Sequence, residues 1–253
     1  MRQIIASVLL SCGILTAQDS TAPPCAPDTP VNAPSPDTVA PVEKPTIKDL
    51  GDGKYSVGDI TFQKKNRSIS FPARVNLIEG LLEYAIVQQN GKIHESLLVT
   101  DISPFHLNVA LRLLSYKPSE ELFPILDEDF VPTKEYPVVS ESVKAAARVE
   151  ILLSWKKEDG SKGEASLSDW ITHTVTEAPI PAMPWIYNGS YIHEGVFQAQ
   201  SSGDIGAIFT NYAALFNYPG KDRGLDTVWI PTPKRLPPVD TPVIVTIKPA
   251  LKK

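Results

Sequence analysis

The sequence predicts a β-rich α+β domain, made of antiparallel hairpins and sheets with one main packed helix at about residues 103–116. Three observations carry that prediction. After residue 46, short apolar runs alternate with polar residues at period two. The dipeptides Asn90-Gly91 and Asp159-Gly160 separate pairs of such runs at hairpin spacing. One segment carries a full set of helix signals, starting at Ser103-Pro104.

The elements follow in order. Tyr55, Val57, Ile60 and Phe62 alternate with polar neighbours across a break at Gly58-Asp59, and Ile69 and Phe71 share a face. Residues 81–87 and 93–99 flank Asn90-Gly91, so they read as a tight hairpin. Ser103 then caps a helix, Pro104 occupies the first helical position where its missing N–H costs nothing, and Pro118 stops the run. On that helix Asn108, Arg112 and Ser115 share a polar face, and the broad apolar remainder predicts packing on a sheet. A second hairpin runs from residues 149–155, over Glu158-Asp159-Gly160, into residues 163–167. Gly91 precedes Glu95 by four residues and Gly160 precedes Glu164 by four, which reads as two hairpins using one turn chemistry. Residues 169–174 read as a shorter helix. Later strands are expected at 185–187, 196–199, 205–210, 227–230 and 243–247. Prolines 231, 233, 237, 238 and 242 predict an irregular connection at an edge before the last strand.

The first 45 residues have another character. Arg2 followed by an apolar run over residues 4–15 has the anatomy of an export signal, and the run is shorter than the roughly 20 apolar residues that a membrane span needs. Two processing routes fit. Cleavage after Ala17 leaves Gln18 as the new start. Alternatively Leu9-Leu10-Ser11-Cys12 acts as a lipobox and Cys12 takes a lipid, which anchors the protein to a membrane. Residues 18–45 are rich in Pro, Ala, Thr and Asp and nearly free of large apolar side chains, the composition of an extended tether. The predicted organisation is therefore a signal at 1–17, a tether at 18–45 and one globular domain at 46–253. The location this implies is the periplasm or outer cell envelope.

Composition excludes several classes. Both cysteines, Cys12 and Cys25, precede residue 46, so the domain has no disulfide, zinc-thiolate site or cysteine-ligated cluster. The chain's net charge is −5. Loss of Arg2 with the signal makes it −6, of which Asp19, Asp28, Asp37, Glu43 and Lys44 contribute −3, leaving the domain at −3. That leaves no basic field for nucleic acid. A basic cluster at Lys64, Lys65 and Arg67 and an acidic stretch at Glu120, Glu121, Asp127, Glu128 and Asp129 read as solvated surface.

Three stretches carry a family resemblance: GKIHESLLVTDISPFHLNVALRLL from Gly91, PWIYNGSYIHEGVFQAQSSGDIGAIFT from Pro184, and VWIPTPKRLPPVDTPVIVTIKP from Val228. They resemble the YdjY-domain family of bacterial envelope proteins over about residues 53–249. The resemblance implies an envelope protein with no established activity, so it supplies no catalytic residue. The ferredoxin-like label that some members carry does not suit a domain without cysteine.

Common catalytic signatures are missing. His94-Glu95 and His193-Glu194 do not extend to H-E-x-x-H, because Leu98 and Phe197 stand where the second histidine belongs. No nucleophile elbow, Walker loop or dinucleotide fingerprint occurs. Two polar groups remain. His94, Glu95, Ser96, Asp101 and His106 bring imidazole and carboxylate near one strand-to-helix connection, where they would share a proton or hold a divalent metal if they converged. The plainer role for them is turn formation and satisfied buried polarity. Trp185, Tyr187, Asn188, Gly189, Ser190 and His193 would form a ligand shelf, for sugar rings for instance, or an ordinary hairpin whose aromatics fill the core. The leading expectation is a non-enzymatic binding or structural module with no cofactor and no metal, partnered by another envelope protein or a glycan. The alternative is a metal-assisted hydrolase at His94, Glu95, Asp101 and His106.

Overall fold

A computed structural model describes residues 45–250, apart from 130 and 233. The signal, Cys12, the tether and Cys25 lie outside the described residues. The strands are β1 (Ile47–Gly51), β2 (Lys54–Val57), β3 (Ile60–Gln63), β4 (Ser68–Val75), β5 (Tyr84–Gln88), β6 (Ser96–Thr100), β7 (Arg148–Lys156), β8 (Lys162–Ser166), β9 (Ile171–His173), β10 (Trp185–Tyr187), β11 (Ile192–His193), β12 (Val196–Phe197), β13 (Asp204–Ala207), β14 (Phe216–Asn217), β15 (Trp229–Pro231) and β16 (Pro242–Pro249). The helices are α1 (Pro104–Leu113), α2 (Glu141–Ala147) and α3 (Gln198–Ser202).

Eight strands close a barrel in the order β4-β16-β7-β10-β14-β13-β5-β6, with β6 returning to β4 through Arg74↔Val99 and Val75↔Leu98. Two of its seams, β5–β6 and β13–β14, are parallel and the others antiparallel. β4 serves two partners on one edge: β3 over its first residues and β6 over its last. Pro72 falls between the two sets, where a strand tolerates a missing N–H. β7 forks in the same way, pairing β10 at its start and β8 at its end.

Alternation builds the core. Ile69, Phe71, Ala73 and Val75 of β4, Val149, Ile151 and Leu153 of β7, and Val243, Val245 and Ile247 of β16 are all buried in one cluster. The residues between them, such as Arg74, Pro72 and Ile244, are exposed. Around β5, β6 and β13 both faces are buried, and a second small cluster of Tyr84, Val87, Val99, Ala207 and Ala214 covers the other face.

The expected main helix is α1. The Ser103 hydroxyl accepts the His106 N–H at 3.2 Å, and Leu107, Ala110 and Leu111 join the main core. It ends at Leu113, before the predicted Tyr116, and Ser115 turns to a positive φ of 61°. The hairpin at residues 149–167 forms as predicted, with Leu153 opposite Ala165.

Several expectations are corrected. Residues 81–99 do not make a hairpin: β5 and β6 run parallel, Tyr84 beside Ser96 and Gln88 beside Thr100, because both strands are buried on both faces. Residues 169–174 are not a helix. A 3₁₀ turn at Leu167–Trp170, closed by reciprocal Ser166 and Asp169 bonds, leads into β9. The strand expected at 196–199 stops at Phe197 and becomes α3. The last strand, β16, which follows the proline-rich connection, lies between β4 and β7. Helix α2 carries no signal that the sequence reading used; only Ala147 of it is buried.

Candidate functional site

The first predicted cluster is split by its own strand. His94 and Glu95 occupy a 3₁₀ turn before β6, whereas Asp101 and His106 follow its far end. β6 is five residues long, or about 17 Å at about 3.3 Å per residue. His94 and Asp101 are exposed. The Lys92 ammonium lies 3.0 Å from Glu95 and 3.3 Å from Glu83, and its pKa is raised chiefly by the Glu95 bond. The His106 Nδ1 lies 3.5 Å from where a Cβ on Gly58, in the β2–β3 turn, would sit. Among the described residues, no group of three or more His, Cys, Asp or Glu side chains is placed to hold a metal ion.

The second cluster divides differently. Trp185 and Tyr187 alternate into the core on β10, against the rings of Tyr218 and Phe216 at 5.8 and 5.7 Å, and the Tyr187 hydroxyl donates to Asn108 of α1. His193 is exposed on the short β11–β12 hairpin. Ser190 and its neighbour Asn188 line one pocket, and Trp185 borders another. The Ser190 hydroxyl accepts the Ala199 N–H at 3.0 Å. Gly189 before it has φ +80°, and a Cβ there would lie 2.9 Å from the Pro118 Cβ, so only glycine fits.

The Ser190 pocket, of about 370 Å³, lies where β10 runs out beside the segment after α1. Phe123 and Tyr212 stack with centroids 4.0 Å apart, Tyr191 stands at the rim, and Asn188, Ser190 and Glu120 supply polar atoms. A relay of amides holds the floor. Asn188 donates to the Ser119 carbonyl at 2.7 Å and accepts from Asn217 at 2.9 Å, and Asn217 accepts the Asn211 N–H at 2.7 Å. This places Tyr212, next in the chain to Asn211. Burial first, then neighbouring Tyr136, raises the Tyr212 phenol above its ordinary pKa. One wall is a loop that folds on itself, with Ile125 N–H to the Glu135 carbonyl and Thr133 N–H to the Ile125 carbonyl, both at 2.8 Å. Asp127 stabilises its tip by accepting the Asp129 and Val131 N–H groups.

Sequence reasoning reached Asn188 and Ser190 but missed Phe123, Tyr191 and Tyr212. Tyr191 adjoins Ser190 and was within reach. Phe123 and Tyr212 meet only through the fold, so no spacing announces them.

A larger hollow of about 640 Å³ sits in the β7 fork, bordered by Arg148, Glu150, Ser168 and Trp185. Its charges are already engaged: Arg148 lies 3.5 Å from Glu121 and Glu150 lies 3.1 Å from Lys248. The Trp185 indole N–H is buried and has no hydrogen-bond partner.

No family model, curated protein or solved structure matches the chain.

Proposed function

We propose that residues 46–253 are a non-enzymatic binding module of the cell envelope, a YdjY-like domain that the signal and proline-rich tether place outside the cytoplasm. The observation that carries this reading is the Phe123–Tyr191–Tyr212 pocket. Its volume falls in the roughly 300–1,000 Å³ range of ligand sites, and its lining combines apolar rings with a few fixed polar groups. An amide relay holds it, which is the pre-organisation that favours binding. Ser190 is the hydroxyl nearest in character to a nucleophile there, and no imidazole lines the pocket. The hydrolase alternative draws on side chains separated by the length of β6, and no observation favours it.

Two measurements test this. Mass spectrometry of the mature N-terminus should find Gln18 or lipidated Cys12; an intact Met1 start in the cell would sink the export reading. Titration of labelled protein with panels of envelope glycans and peptides should move the amide signals of Ser190, Tyr191 and Tyr212. Tyr212→Ala should abolish those shifts while leaving the fold intact. Shifts confined to His94, Asp101 and His106 would speak for the hydrolase.

A further inference from the structure

We infer that the pocket takes a cationic side chain, lysine or arginine, presented by an extended segment of a partner polypeptide. This rests on the binding-module reading and adds the chemistry of the ligand. Phe123, Tyr191 and Tyr212 line the pocket; Phe123 and Tyr212 stack, each covering one face of the other, and exposed ring faces attract cations. Glu120 is the one charged residue in the lining, and no Lys, Arg or His accompanies it. Among the described residues no cation is ion-paired with it, unlike its neighbour Glu121, which Arg148 engages at 3.5 Å. An open, aromatic-lined hollow with an exposed, unpaired Glu120 beside it is suited to a positive group and repels a phosphate or carboxylate ligand.

The surroundings extend the same complementarity. The loop that starts at Leu126 in the pocket wall carries Asp127, Glu128, Asp129 and Glu135 against a single Lys134. The acidic stretch that read as solvated surface thus lies beside the aromatic site. Apolar side chains point outward along the same segment: Val131 and Tyr136 are about half exposed and Val138 fully so. Apolar exposure flanking a charged socket fits a polypeptide that lays neighbouring residues across the loop better than a lone ammonium ion. The pocket volume, near the lower end for ligand sites, accommodates one long side chain.

The test uses the mature protein and three acetylated, amidated hexapeptides that differ only at a central Lys, Arg or norleucine, followed by calorimetry and amide shifts. The Lys and Arg peptides should bind at least about 5-fold tighter than the norleucine peptide, with affinity falling as salt rises. Glu120→Gln should weaken them about 3- to 10-fold without changing norleucine binding, and Tyr212→Ala should weaken all three. Thermal unfolding of each variant controls for folding. Equal affinity for all three peptides, lost in Tyr212→Ala but kept in Glu120→Gln, would overturn the cationic assignment and leave the binding pocket standing. Failure of every peptide to shift the pocket signals would overturn the cationic assignment too. If the glycan panel also failed there, the binding-module reading would fall with it.

Discussion

The loops β5–β6 and β7–β8 carry similar turn signals, Asn90-Gly91 and Asp159-Gly160, and send the chain in opposite directions. Each places a glycine four residues before a glutamate. β7 and β8 leave their loop antiparallel, while β5 and β6 run side by side in parallel. The strands decide this. Every residue of β5 and β6 is buried, so both faces need cover, as in parallel strands generally. β7 alternates buried with half-buried residues, as a strand with one wet face does. The glycines differ in the same way. Gly160 has φ +82° with only the Lys156 Cε within 4.0 Å, so it supplies a backbone angle. Gly91 is not in the left-handed region, but a Cβ there would lie 3.1 Å from the carbonyl oxygens of Gln88 and Ser202 and 3.2 Å from the Val87 Cβ. It supplies the absence of a side chain where the loop presses on the end of α3. Loop composition says that the chain bends; strand burial says where it goes next.

The largest expected effect lies on the parallel side. Gly91→Ala puts a Cβ 3.1 Å from two backbone carbonyls, which must give by a few tenths of an ångström, and should cost about 2 kcal/mol. For a domain of this size that lowers Tm by roughly 4–8 °C. Gly160→Ala should cost only about 1 kcal/mol, the strain of a left-handed alanine, and Gly160→Asn should recover most of it. Thermal melts of the three variants measure both. A costlier Gly160→Ala would invert the assigned roles of the two glycines.

Much of the fold was legible because alternation and capping are local. Ile69, Phe71, Val149 and Ile151 announced their faces, and Ser103-Pro104 announced α1. At the β5–β6 seam two local signals conflict: Asn90-Gly91 favours a hairpin, but the unbroken apolar runs Ala85-Ile86-Val87 and Leu97-Leu98-Val99 need cover on both faces, and the runs prevail. Barrel closure was not legible: the β6–β4 contact joins residues with no shared motif. The site was half legible for the same reason. Asn188 and Ser190 sit in a recognisable aromatic cluster, but Phe123 and Tyr212 become neighbours only when β10 and β14 pair.

Two aspartates carry the comparison into pH dependence, with opposite signs. Asp204 lies beside β5 on β13 and is 3% exposed; Oδ2 accepts from Asn211 at 2.9 Å, and Oδ1 has no partner. Burial raises its pKa above the ordinary 3.8, against the opposing pull of Ser202, Asn211 and Lys92. The folded protein therefore holds a proton that the unfolded chain releases, and stability falls as pH climbs from about 4 through the raised folded value. Asp204→Asn removes that loss and keeps an acceptor for Asn211. It should melt higher than the parent at about pH 7, with the gap closing towards about pH 3.5. In the β7–β8 loop, Asp159 is fully exposed, and the Ser161 hydroxyl and N–H, which it accepts at 2.6 and 2.9 Å, lower its pKa. Its contribution is present above the unfolded pKa and fades as pH falls through the lowered folded one, so Asp159→Asn should melt slightly lower at about pH 7 and match the parent in acid. Melting curves of both variants across that range decide the matter. If Asp204→Asn melts lower than the parent at neutral pH, the hydrogen bonds and the Lys92 charge outweigh burial, and β13 tolerates its charge as readily as the exposed turn does.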